Sequence, residues 1–345
     1  MSSALLWIQL IGTGILILVA SKYLASSADK ISEKTGLGRS FVGVILLATA
    51  TSLPELGTGL SSILLVEEPD LAAGDAFGSN LFNLLIIGML DLGWRNGPVL
   101  NSIGRTPLIV AVLGAGIIAA ASLAMIMHHS LWKLGDGETP VAIWNISPMS
   151  FLLVLIFIAS MYIIYLKDSE ERGEVASQDS EGIYGYINLP KTFLVYGVAA
   201  FTMVGAAIVL AIIGEELARN MGWEMSFMGT QFLALSTSLP EMATSVAAMR
   251  LGAPELAVSN LLGSNIFNMG FVLFLDDLAY TNGAIWGDVS EIHILTGIMA
   301  VFMTCVVISG MLVKSRGRLM GVWTVDGFSL TLIYILSSVL IFRMG

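Results

Sequence analysis

Glu55 and Glu241 close two copies of one pentapeptide, TSLPE, at 51–55 and at 237–241. Each glutamate follows a proline, Pro54 or Pro240, and the hydroxyls of Thr51 and Ser52 or of Thr237 and Ser238. Proline carries no backbone N–H and clashes with the preceding turn, so the carbonyls of Ala50 and Ser236 lose their helical donors. Freed carbonyls, hydroxyls and a carboxylate are hard oxygen donors, suited to Na⁺ or Ca²⁺ rather than to soft metals. Both copies lie in long apolar surroundings, where an ionisable side chain is a functional residue by default.

A second set of polar residues follows each copy. In GDAFGSNLFN, Asp75, Ser79 and Asn83 are spaced i, i+4, i+8. On a helix they share one face over roughly 12 Å. The later copy supplies Asn260, Ser264 and Asn268. Gly78 and Gly263 would let another helix approach closely. Other chemistry-bearing residues read as structural. His128 and His129 stand at a membrane boundary, Asp276 and Asp277 in a solvated loop at a span end. Cys305 is apolar filler in a chain with one cysteine, which allows no internal disulfide.

The elements that must position these groups are membrane helices. The 345 residues are 56% hydrophobic and 12% charged, with mean hydropathy +0.84; soluble domains average about 25% charged. Apolar stretches of about 20 residues read as helices rather than barrel strands. Ten spans are expected, near 4–21, 39–65, 71–91, 106–127, 147–166, 192–214, 226–249, 255–275, 292–313 and 326–343. The first lacks a basic leading region and reads as a retained span rather than a cleaved signal. A hydrophilic, acidic linker at 167–191 separates a five-span half, 1–166, from a second, 192–345. With both termini extracytoplasmic, thirteen of the 16 Lys and Arg fall on the cytoplasmic side, which satisfies the positive-inside rule. The expected location is the plasma (inner) membrane. No basic patch suggests nucleic acid, and no obligate protein partner is evident.

The halves repeat. FVGVILLATATSLPE at 41–55 aligns with FMGTQFLALSTSLPE at 227–241, and PDLAAGDAFGSNLFN at 69–83 with PELAVSNLLGSNIFN at 254–268. An odd number of spans per half points the copies in opposite directions. Inverted repeats with broken helices are the build of many secondary transporters.

ATATSLPE with GSNLFN, and ALSTSLPE with GSNIFN, resemble the two alpha repeats of the sodium/calcium exchanger family, prokaryotic type, of the cation/calcium exchanger superfamily. The resemblance implies an all-α fold of ten transmembrane helices, with spans two, three, seven and eight as the core and broken core helices around a mid-membrane site. It implies Ca²⁺ held by Glu55, Glu241 and the carbonyls of Thr51 and Thr237. Sodium would use the same glutamates, the carbonyls of Ala48 and Ala234, and Ser52, Ser79, Ser238 and Ser264. Spans one and six would slide across the core to alternate access. One departure stands out: Asn83 and Asn268 fill positions that often carry aspartate in the family, which argues against potassium co-transport. Asp75, where the other copy has Asn260, adds a third acid facing the cavity.

The expected function is therefore antiport of Ca²⁺ against Na⁺, with H⁺ coupling or another divalent cation as the alternative and a cation channel less favoured. No cofactor is implied. No nucleophile–base pair or redox motif suggests an enzyme.

Overall fold

A computed structural model describes residues 3–35, 47–94, 97–131, 146–175, 188–314, 318–319 and 323–344. The start of the second expected span and residues 176–187 of the linker lie outside them.

In chain order the helices are α1 (Ser3–Thr35), α2 (Ala48–Thr51), α3 (Leu53–Ser61), α4 (Pro69–Gly93), α5 (Arg105–Leu131), α6 (Pro148–Val175) and α7 (Leu189–Met221). Then come α8 (Met225–Phe227), α9 (Ala234–Thr237), α10 (Leu239–Arg250), α11 (Pro254–Phe267), α12 (Leu273–Ala279), α13 (Ile292–Val313) and α14 (Val325–Met344). Single π-helical turns occupy Ser62–Val66, Met228–Leu233 and Asn268–Val272. Two two-residue strands, β1 (Arg318–Leu319) and β2 (Trp323–Thr324), pair with each other, and the remaining regular structure among the described residues is helical. Among the described residues, eight helical stretches are long and apolar enough to cross a membrane. The other two expected spans are the interrupted segments at 47–66 and 225–250.

Burial separates core from periphery. Within their most apolar windows, α4 is 78% buried and α11–α12 together 83%, whereas α6 and α14 are each 22% buried. The outer faces carry apolar side chains such as Ile8, Ile11 and Ile15 on α1 and Leu194, Val198 and Phe201 on α7. A contiguous apolar surface of this kind belongs against lipid. Cys305 is exposed on α13.

α1 and α7 are the longest helices, 33 residues each. At 1.5 Å per residue each reaches about 50 Å, longer than the ~30 Å hydrocarbon layer, so they must tilt or project beyond it. They pack on each other, α7 also against α3 and α1 also against α10. Thus the two long helices lie across the broken ones.

Glycine brings the core together. A Cβ at Gly74 would stand 3.0 Å from the Gly229 Cα, and one at Gly78 would overlap the Thr230 backbone. α4 can therefore press directly on the π-turn that leads into the second break.

Candidate cation site

The breaks fall at serine, two residues before each proline. Ser52 has φ −86°, ψ 12° and Ser238 φ −84°, ψ 5°, outside helical geometry. Pro54 and Pro240 then sit in the first turn of α3 and α10, where a missing N–H costs nothing because no intrahelical acceptor exists there. The glutamates follow in those first turns.

The two repeats meet at the breaks. Ser52 Oγ, in one copy, donates to Glu241 Oε1 at 3.2 Å; Ser238 Oγ, in the other, donates to Glu55 Oε1 at 3.3 Å. Ser264 Oγ adds a 3.3 Å bond to Glu241 Oε1. Both glutamates are 0% exposed. Glu55 Oε2 and Glu241 Oε2 have no hydrogen-bond partner.

The α4 face behaves as its spacing suggests. Asp75 Oδ1 accepts from Thr237 Oγ1 at 2.9 Å, and Ser79 Oγ lies 3.4 Å from the same hydroxyl. Asn83 Nδ2 instead donates to Asn265 Oδ1 at 3.0 Å, and Asn265 Nδ2 to the Asn80 carbonyl at 3.4 Å. Asn80 and Asn265 are thus a buried pair between α4 and α11 that the sequence reading passed over. Their signal was present: each is the third letter of a repeated GSN.

Ala48 and Ala234 are buried beside the breaks, but their carbonyls already accept the amides of Ser52 and Ser238 at 2.9 and 3.0 Å. Thr51 Oγ1 donates to the Leu47 carbonyl at 3.0 Å, and Thr237 Oγ1, which donates to Asp75, also lies 3.1 Å from the Leu233 carbonyl. Asn268 opens a π-turn, and neither of its amide atoms has a partner. Asn260 donates to Thr244 Oγ1 at 3.1 Å and lies away from the glutamates' hydrogen bonds. All thirteen candidates are buried, none more than 1% exposed.

One reading is corrected. Asp276 and Asp277 are not in a solvated loop, since both are 0% exposed. The membrane-side helix continues through them as α12. Asp277 accepts from the backbone N–H of Ser147 and Ile285 and from Ser150 Oγ, at 2.8, 2.7 and 2.6 Å. Asp91 does the same for the first half, accepting from Val99 N–H at 2.8 Å. Each acid binds the amide eight residues on, where a short 3₁₀ helix begins, Val99–Ser102 or Ile285–Gly287. Asp91 and Asp277 are therefore equivalent anchors. Asp277 lies one residue further from Asn268 than Asp91 does from Asn83, the length a π-turn inserts.

A family model described as sodium/calcium exchanger protein matches residues 5–166 and 191–343. The chain belongs to the sodium/calcium exchanger family. Inner membrane protein YrbG of Escherichia coli strain K12 is 29% identical over 272 residues, 76% of this chain and 77% of that one. Sodium/calcium exchanger MaX1 of Methanosarcina acetivorans is 26% identical over 288 residues, 77% of this chain and 81% of that one. The solved structure of the sodium-calcium exchanger NCX_Mj soaked with 10 mM Na⁺ and zero Ca²⁺ matches over 100% of both chains, with TM-score 0.63 at 16% identity. That likeness shows the fold. Membership in this family makes the chain a multi-pass membrane transporter, not an enzyme.

Proposed function

We propose that this exchanger-family chain is a secondary antiporter that moves Ca²⁺ against Na⁺ by alternating access. The observation that carries the reading is the crossed pair of buried glutamates, each bonded to a serine of the opposite repeat and each keeping one oxygen free. Among the described residues, no cationic side chain pairs with either. Two buried carboxylates without a counter-charge are costly, and one Ca²⁺ neutralises both. Three Na⁺ in its place would leave one positive charge and make exchange electrogenic. Ser52, Ser79, Ser238 and Ser264, with the carbonyls at the breaks, supply neutral oxygen ligands of the kind both ions accept. Asn83 and Asn268 add amide oxygens and no charge.

The packing supports alternating access. α1 and α7 lie on each other and across α3 and α10, so a slide of this pair would cover one side of the breaks and uncover the other. A plasma-membrane location with both termini outside completes the proposal.

Proton coupling is the second reading, supported by Asp75, a third buried acid that pairs with no cationic side chain among the described residues. Counterflow of radioactive calcium in vesicles, with Na⁺, K⁺ or H⁺ gradients imposed one at a time, tests both. Calcium uptake driven by an opposed Na⁺ gradient is expected. Uptake driven by H⁺ and indifferent to Na⁺ overturns the sodium reading.

A further inference from the structure

Asp276 has no role in the reading above. It is fully buried in the first turn of α12, and neither carboxylate oxygen has a hydrogen-bond partner. Its neighbour Asp277 has three donors. Asp276 lies over Gly59 of α3, where an added Cβ would stand 2.5 Å from Oδ1 and 2.8 Å from Oδ2. The missing side chain at Gly59 is what lets the carboxylate reach this wall.

The wall belongs to the glutamate site. Gly59 is four residues past Glu55, on the same face of α3 and about 6 Å further along. Asp75, four residues before Ser79 on the antiparallel α4, lies one turn from the centre in the same direction. α12 packs against both α3 and α4, the helices that carry Gly59 and Asp75. Asp75 Oδ2 also has no hydrogen-bond partner. Three carboxylate oxygens from two elements are thus left without donors on one side of the glutamate pair. Ser62, three residues past Gly59, is also buried with an unpartnered hydroxyl.

The opposite end is built differently. Asn260 stands where Asp75 does and donates to Thr244 and Ser245. Ser245 stands where Gly59 does, and its hydroxyl donates to the Ala257 carbonyl. Because Asp277 matches Asp91, Asp276 matches the apolar Leu90. All three positions are acidic or open at the α3 end and neutral or filled at the other.

We propose that Asp75 and Asp276 form a second cation site, for a hard divalent cation such as Ca²⁺, one helical turn from the glutamate pair on the side where α3 ends. An all-oxygen set with two negative charges and no internal donor for Asp276 suits such an ion. The inference rests on the exchanger reading of the central site. It makes the site one-sided: one turn from the glutamates the α3 end presents Asp75 and Asp276, where the opposite end presents Asn260 and Leu90.

Equilibrium binding of radioactive Ca²⁺ to the purified full chain, without Na⁺, tests it. Wild type is expected to bind two Ca²⁺ per chain. Asp276→Asn and Asp276→Leu should each bind one, and Glu241→Gln should lose the other. In proteoliposomes, Asp276→Asn should weaken the apparent Ca²⁺ affinity about tenfold at the face where α3 ends and leave the other face unchanged. A single Ca²⁺ that is lost in Glu241→Gln and kept in Asp276→Asn overturns this inference alone. No binding by folded wild type overturns the exchanger reading as well. If the Asp276 variants fail to melt cooperatively, Gly59→Ala displaces the carboxylate and keeps its charge. Loss of one ion there supports the site, and retention of both overturns it.

Discussion

Glu55 and Glu241 differ from buried structural carboxylates in what they leave undone. Asp277, with three donors, needs no ion; each glutamate holds one oxygen in hydrogen bonds and keeps the other free. Glutamine keeps an acceptor for the serine and removes the charge. Glu55→Gln and Glu241→Gln are therefore expected to fold but to abolish calcium exchange, read as counterflow against a thermal melt in detergent. Wild-type exchange by a well-folded Glu241→Gln would remove the central claim. Asp75 is a graded case, since Asn at this position still accepts from Thr237. Asp75→Asn should retain exchange with the apparent Ca²⁺ affinity reduced severalfold. Unchanged affinity and sodium dependence would make Asp75 a hydrogen-bonded helix residue and nothing more.

At the scale of elements, the breaks work because the surrounding helices are fixed. Asp91 and Asp277 tie the ends of α4 and α12 to the next short helix, and Asp277 also ties α12 to α6 through Ser147 and Ser150. Removing Asp277 leaves buried donors unsatisfied, at about 1–3 kcal/mol each. Asp277→Ala should therefore melt well below wild type in detergent, whereas Asp276→Leu, which removes an unpartnered buried carboxylate, should melt at or above wild type without Ca²⁺. Equal melting of the two variants would mean that the two adjacent acids play the same part. Gly78 sets the spacing of α4 against the second break. Gly78→Ala forces a Cβ into the Thr230 backbone and should cost about 1–3 kcal/mol, seen as a lower yield of folded protein and a lower melting temperature. A wild-type melt would show that the contact yields without strain.

For the whole molecule, the distribution of Lys and Arg predicts a side for every loop, and surface chemistry can check it. In a Cys305→Ser background, Asn220→Cys at the end of α7 and Leu251→Cys between α10 and α11 are both exposed. An impermeant maleimide outside intact cells should label the first and spare the second; the reverse pattern would invert the topology. The sequence by itself determined the membrane class, the inverted repeat and the glutamates, because span length, charge placement and a duplicated pentapeptide are one-dimensional signals. It also carried the Asp75, Ser79, Asn83 face, since helical periodicity converts spacing into direction. Only the tertiary structure decided which serine bonds which glutamate, because those contacts join residues 183 and 189 positions apart. It likewise moved Asp276 and Asp277 from a solvated loop into the core. Two adjacent acids at the end of an apolar run look like a boundary to any hydropathy window. Their burial comes from a π-turn that lengthens the helix, a pair of serines at the start of α6, Ser147 just before it and Ser150 on it, that helps to satisfy one acid, and a glycine on α3 that makes room for the other.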